Sequence, residues 1–177
     1  MLKMRQILIA GLFAVVFATG VFAQAGECSA LPECKYFYVF GAARTASTVN
    51  GPRVVKGSNG GIGYETVGDR GFGAGLEIGG GFPENLDGIG GIYGSLSALY
   101  HRWPSARLTV FGVAGVTGMT DTSGDDRGNA GFHFGGGGDY WFADKAAFRF
   151  EYRAQTFKHC GGCVVNTFRV GFSFPFR

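Results

Sequence analysis

Thiols and imidazoles are the most reactive side chains in this sequence, and there are few of them. The four cysteines fall into two close pairs, Cys28 with Cys34 and Cys160 with Cys163. The second pair lies in the run "HCGGC", beside His159. Such a cluster suits a metal site, a redox pair or a disulfide. His159, Cys160 and Cys163 make three ligands, one short of a closed zinc site. No strand–helix–strand frame surrounds them, as a thioredoxin-like pair would need. In an exported chain, two local disulfides are the expected outcome. No metal and no cofactor is expected.

The charged residues from Glu65 onward form the other candidate chemistry. Glu65, Glu77, Arg107, Asp139, Arg149, Glu151, Arg153 and Arg169 all occupy odd-numbered positions inside alternating segments. Four carboxylates and four guanidiniums on one face could form a gate or an ion path, or a structural plug of ion pairs. The plug is the expected reading, because an unpaired charge inside a narrow barrel would be expensive. His133 shares this parity, with no Ser close to it in sequence, and His101 ends a strand near Ser105. Neither makes the Ser–His–acid set of a lipid-modifying enzyme, so no catalytic residue is assigned.

These residues are positioned by strands. Apolar and polar residues alternate with period two in eight stretches: Tyr36–Thr45, Gly60–Val67, Gly71–Gly81, Ile89–His101, Arg107–Met119, Asn129–Phe142, Ala146–Phe157 and Val164–Phe176. Period two puts unlike faces on the two sides of a strand. Each stretch is near the ~9–11 residues that a tilted strand needs to cross a bilayer. The connections alternate in length. "GDR", "WPS" and "ADK" are tight; "ASTVNGPRVVKGSN", "FPENLDG", "TDTSGDDRG" and "KHCGGC" are longer and polar. Short turns at one end and long loops at the other predict an up-and-down antiparallel barrel, with the short turns periplasmic.

From Gly60 onward the even positions of these stretches carry no charge. They read Ile62, Tyr64, Phe72, Leu76, Ile78, Leu96, Val110, Phe132, Phe134, Phe148, Phe150 and onward to the last strand. The first strand is ambiguous, because Phe37 and Val39 are as apolar as Tyr38 and Phe40. A soluble barrel with an apolar interior would alternate in the same way. Two observations oppose it. An eight-stranded barrel is just wide enough for side chains to fill, and a face rich in Phe and Tyr would overfill it. Charged residues make up only 16% of the chain, against roughly 25% in soluble domains. Aromatic residues facing lipid, with glycines and charges inside, satisfy both. Aromatic residues near the short turns (Tyr36, Tyr100, Trp103, Tyr140, Trp141, Phe142, Phe174 and Phe176) read as an interfacial girdle, although Trp141 has lumen parity.

The opening "MLKMRQILIAGLFAVVFATGVFAQAGE" has a basic head, an apolar run and small residues at its exit. It reads as a signal peptide, residues 1–25, cleaved after Ala23 or Ala25. A short periplasmic leader (26–35) and the barrel (36–177) follow. Loss of Lys3 and Arg5 lowers the formal charge from +3 to +1, which leaves no electrostatic case for nucleic acid as a partner.

The runs "GFHFGGGGDYWFADKAAFRFEYR" and "NTFRVGFSFPFR" resemble the small eight-stranded outer-membrane β-barrel family, the OmpA-type transmembrane domain and its stand-alone relatives. The resemblance spans Tyr36 to the C-terminus. It implies an all-β, eight-stranded transmembrane barrel in the bacterial outer membrane, in contact with lipid and lipopolysaccharide. It also implies that Phe168, Val170, Phe172, Phe174 and Phe176 form a C-terminal signal read by the barrel-insertion machinery. The family signal ends on an aromatic residue, whereas here Arg177 follows Phe176. No second domain is expected, so the peptidoglycan-binding role of longer relatives is not implied. The expected function is a structural, surface-exposed scaffold holding loops towards an unknown extracellular ligand. A small diffusion pore is the alternative and a lipid-modifying enzyme the third reading.

Overall fold

Backbone donors and acceptors cannot stay unpaired in lipid, so a sheet that enters a membrane must close on itself. The computed structural model shows that closure. It describes residues 33–48, 51–83, 91–121, 129–157 and 163–176. The strands are β1 (Glu33–Thr48), β2 (Gly51–Gly68), β3 (Phe72–Pro83), β4 (Gly91–Ser105), β5 (Leu108–Asp121), β6 (Asn129–Ala143), β7 (Ala146–Phe157) and β8 (Cys163–Phe176). Each pairs antiparallel with the next, and β8 pairs with β1 to close the barrel. No helix of the described residues is long and apolar enough to cross a membrane.

The tilt follows from register. Paired residues lead from Tyr36 through Glu65, Gly75, Ser97, Gly115, His133, Gln155 and Val165 back to β1 at Ala46, ten residues beyond the start. A stagger of that size forces the strands to lean strongly against the barrel axis. The turns at the short end are tight. In the first, the Gly71 N–H donates to the Gly68 carbonyl at 2.9 Å, and the His101 N–H donates to the Gly71 carbonyl at 2.7 Å. Gly71 has φ +83°, and a Cβ there would strike the His101 carbonyl, so only glycine fits.

Two expectations about the frame are corrected. The run "ASTVNGPRVVKGSN" is not a loop: β1 and β2 stay paired up to Thr48 opposite Gly51. The β-branched Thr45, Val54 and Val55 favour strand there, and Asn50–Gly51 is itself a tight-hairpin signal. Likewise Trp103–Ser105 belongs to β4, and the turn falls at Ala106–Arg107. The expected signal peptide and most of the leader, up to residue 32, lie outside the described residues, while β1 takes in Glu33 to Lys35.

The apolar face points outward. Phe134, Phe150 and Phe172 are 60%, 46% and 45% exposed, while their neighbours His133, Glu151 and Gly171 are buried. A water-soluble domain does not leave a continuous band of Phe, Leu, Ile and Val uncovered on every strand. In lipid that band costs nothing.

Candidate functional site

The lumen holds the buried polar chemistry. β1 faces it with the opposite parity to the other strands. Its register with β2 sets Tyr36, Tyr38 and Phe40 against Glu65, Gly63 and Gly61. The even residues of β1 are therefore the inward ones, which resolves the ambiguity of the first strand: Tyr38 and Phe40 point into the lumen, not to the outer face. Both faces of β1 are apolar, so its pattern carries no contrast from which parity could be read.

Rings fit inside because glycines make room. A Cβ at Gly63 would overlap the Tyr38 ring, one at Gly79 would meet Tyr93 at 2.5 Å, one at Gly137 would meet Phe111 at 2.9 Å, and one at Gly171 would meet Phe40. Gly63, Gly79 and Gly137 are thus covered by aromatic side chains. Tyr38, Phe40, Tyr93, Met119, Phe157 and Val165 pack together towards the long-loop end. Cys34, Tyr36 and Val67 pack with Trp103 and Trp141 at the short-turn end. Of the expected girdle, Tyr100, Tyr140 and Phe142 are exposed, whereas Tyr36 and the two tryptophans turn inward as a floor. Trp141 Nε1 donates to Thr109 Oγ1 at 2.9 Å.

Between these layers lies the ionic cluster. Arg149 Nη2 donates to Glu65 Oε1 at 2.6 Å and Nη1 to Oε2 at 3.2 Å, a two-pronged pair. The same guanidinium lies between two rings, 4.2 Å from the Tyr38 centroid and 4.1 Å from that of Phe111. Asp139 is 3.7 Å from it and accepts from Ser173 Oγ at 2.8 Å. Arg169 Nη1 donates to Glu77 Oε2 at 2.7 Å and lies over the Phe40 ring. The Tyr38 hydroxyl donates to the same Glu77 oxygen at 2.9 Å. Arg153 Nε donates to Glu151 Oε1 at 2.6 Å, and its Nη2 is 3.4 Å from Glu77. Every one of these side chains is buried. Charges removed from water to this degree are tolerable only with close partners and filled hydrogen bonds, and the rings supply further cation–π attraction.

Seven of the eight expected charges are brought together: Glu65, Glu77, Asp139, Arg149, Glu151, Arg153 and Arg169. Arg107 is not. It is exposed in the β4–β5 turn, because β5 begins at Leu108, one residue later than its alternation suggested. The cluster therefore holds four carboxylates and three guanidiniums rather than equal numbers. Asp139 is the least compensated carboxylate, with one hydroxyl and one distant guanidinium.

The histidines have partners that are remote in sequence. His133 Nε2 is 2.9 Å from Ser97 Oγ and Nδ1 is 2.9 Å from Thr117 Oγ1. Thr117 continues to Ser95 at 2.8 Å. A hydroxyl, not a carboxylate, holds the second ring nitrogen, which makes this a chain of hydrogen bonds rather than an acylating triad. His101 is stacked between Tyr36 and Phe111, with ring centroids at 5.8 and 5.3 Å, and its Nε2 is 3.5 Å from Glu65. Among the described residues, no three His, Cys, Asp or Glu side chains converge to hold a metal ion. Cys28, His159 and Cys160 lie outside the described residues. Cys34 is buried at the start of β1, and Cys163 opens β8 opposite Phe157. On β8, Phe168, Val170 and Phe172 are exposed and Phe174 and Phe176 half-buried, all with outward parity.

No protein-family model matches the sequence, and neither does any curated protein. Solved structures do match the fold. Neisserial surface protein A (NspA) superposes with a TM-score of 0.61 at 14% identity, covering 79% of this chain and 96% of that one. Ail, the attachment invasion locus protein of Yersinia pestis, in complex with the heparin analogue sucrose octasulfate, gives 0.55 at 15% identity, covering 82% and 100%. The outer membrane protein OprG from Pseudomonas aeruginosa gives 0.50 at 14%, covering 81% and 96%. The chain is thus a closed, eight-stranded antiparallel barrel with the fold of small bacterial outer-membrane β-barrel proteins.

Proposed function

We propose that this protein stands in the bacterial outer membrane as a sealed scaffold that holds its long loops at the cell surface. The observation that carries this reading is the filled lumen. Arg149 is clamped by Glu65 and sandwiched by Tyr38 and Phe111, with aromatic and aliphatic layers on both sides of it. A diffusion pore needs a continuous wet path, and an eight-stranded barrel has no width to spare once side chains fill it. The outward apolar band supports contact with lipid and lipopolysaccharide. The outward parity of Phe168, Val170 and Phe172 supports recognition of the last strand by the insertion machinery.

The test is conductance in a planar bilayer after refolding. A silent membrane at protein levels that saturate insertion is the expected result, and discrete ohmic steps would overturn the sealed reading in favour of the pore. Unchanged lipid A mass in cells that express the protein is expected, because the Ser97–His133 pair lacks an acid and lies within the packed interior.

A further inference from the structure

The outer surface at the short-turn end carries an arginine cluster that the lumen does not use. Arg70 precedes Gly71 in the β2–β3 turn, and Arg102 follows His101 on β4. The backbone bond from the His101 N–H to the Gly71 carbonyl, 2.7 Å, fixes these two arginines side by side. Arg107 lies in the turn at the end of the same β4–β5 hairpin. All three are exposed, and none takes part in an ion pair of the described residues. Asp69 is the sole carboxylate in these two connections. Three arginines against one carboxylate leave this end of the surface net positive, so the arrangement suits an anion from outside.

The ground beside the arginines narrows down which anion. Phe72 and Tyr100, each two residues from one of the paired arginines, are outward and exposed, with ring centroids 5.0 Å apart. The patch therefore offers guanidinium forks at the edge of the apolar band and two rings within it. A ligand that matches must be anionic at one end and apolar below. We propose that Arg70, Arg102 and Arg107, with Phe72 and Tyr100, form a binding site for an acidic glycerophospholipid of the periplasmic leaflet. The phosphodiester would accept from the guanidiniums, which suit a planar, two-pronged contact, and an acyl chain would lie over the rings. The inference rests on the barrel spanning a bilayer with its short turns periplasmic.

The experiment is native mass spectrometry of the refolded chain in detergent, titrated with phosphatidylglycerol or phosphatidylcholine of the same acyl length. Wild type is expected to retain phosphatidylglycerol in preference to phosphatidylcholine. Replacing both paired arginines (R70Q with R102Q) is expected to weaken phosphatidylglycerol retention by roughly thirtyfold and to leave phosphatidylcholine unchanged. The pair R70K with R102K should keep most of the preference, which separates charge from folding defects. Two results would overturn the proposal: equal retention of the two lipids by wild type, or unaltered retention by the double Gln variant. A chain that stays monodisperse without detergent would instead refute the membrane reading itself, and that shows before any lipid is added.

Discussion

Arg149 on β7 reaches Glu65 on β2 through two hydrogen bonds of 2.6 and 3.2 Å, joining residues 84 positions apart in sequence. This pair ties together strands that do not neighbour one another in the sheet. Removing one partner leaves the other charge buried without its closest counter-ion. Arg149→Ala and Glu65→Ala are each expected to cost about 3–5 kcal/mol in urea unfolding from lipid vesicles. The double variant should cost less than the sum of the two. Additive losses would show that the pair contributes no coupling.

Gly63 lies under the Tyr38 ring, with no space for a side chain. Gly63→Val is expected to destabilise the barrel by about 1–3 kcal/mol. Adding Tyr38→Ala should recover part of that loss, because it vacates the contested volume. The readout is the unfolding midpoint of each variant under identical conditions.

The outer face should tolerate size changes and reject charge. Phe150→Arg is expected to lower stability by about 2–4 kcal/mol if the residue stands near the bilayer midplane. Phe150→Leu should be close to neutral. In a soluble barrel with this face in water, the arginine variant would be the harmless one of the two.

The cysteines give a covalent prediction. In protein purified from the envelope, alkylation without prior reduction should add no mass, and alkylation after reduction should add four labels. That result corresponds to two disulfides, Cys28 with Cys34 and Cys160 with Cys163. Four labels without reduction would exclude both.

Much of this architecture could be read from residue order alone, and the parts that could not have physical causes. From Gly60 onward, an outer face whose one strand charge is Arg102, at the end of β4, alternates with one bearing glycines and charges, and that contrast reveals strand, parity and solvent together. β1 lacks the contrast, since Tyr36 to Phe40 is apolar at every position, and so alternation there does not show which rings point inward. Gly63, whose missing side chain leaves room for the Tyr38 ring, is the clue the sequence offers. Arg107 had the right parity but fell in a turn, where alternation no longer reports direction. The partners of His133 are 36 and 16 residues away, a pairing set by register rather than by any local motif.

The central claim is that the ring-bearing face meets lipid. Nitroxide labels placed singly at positions 133, 134, 150, 151, 171 and 172 of the refolded barrel test it most directly. Labels replacing Phe134, Phe150 and Phe172 should be readily reached by molecular oxygen dissolved in the bilayer, while those replacing His133, Glu151 and Gly171 should be shielded from it. The reverse pattern, with the phenylalanine positions shielded and their neighbours open, would contradict the account.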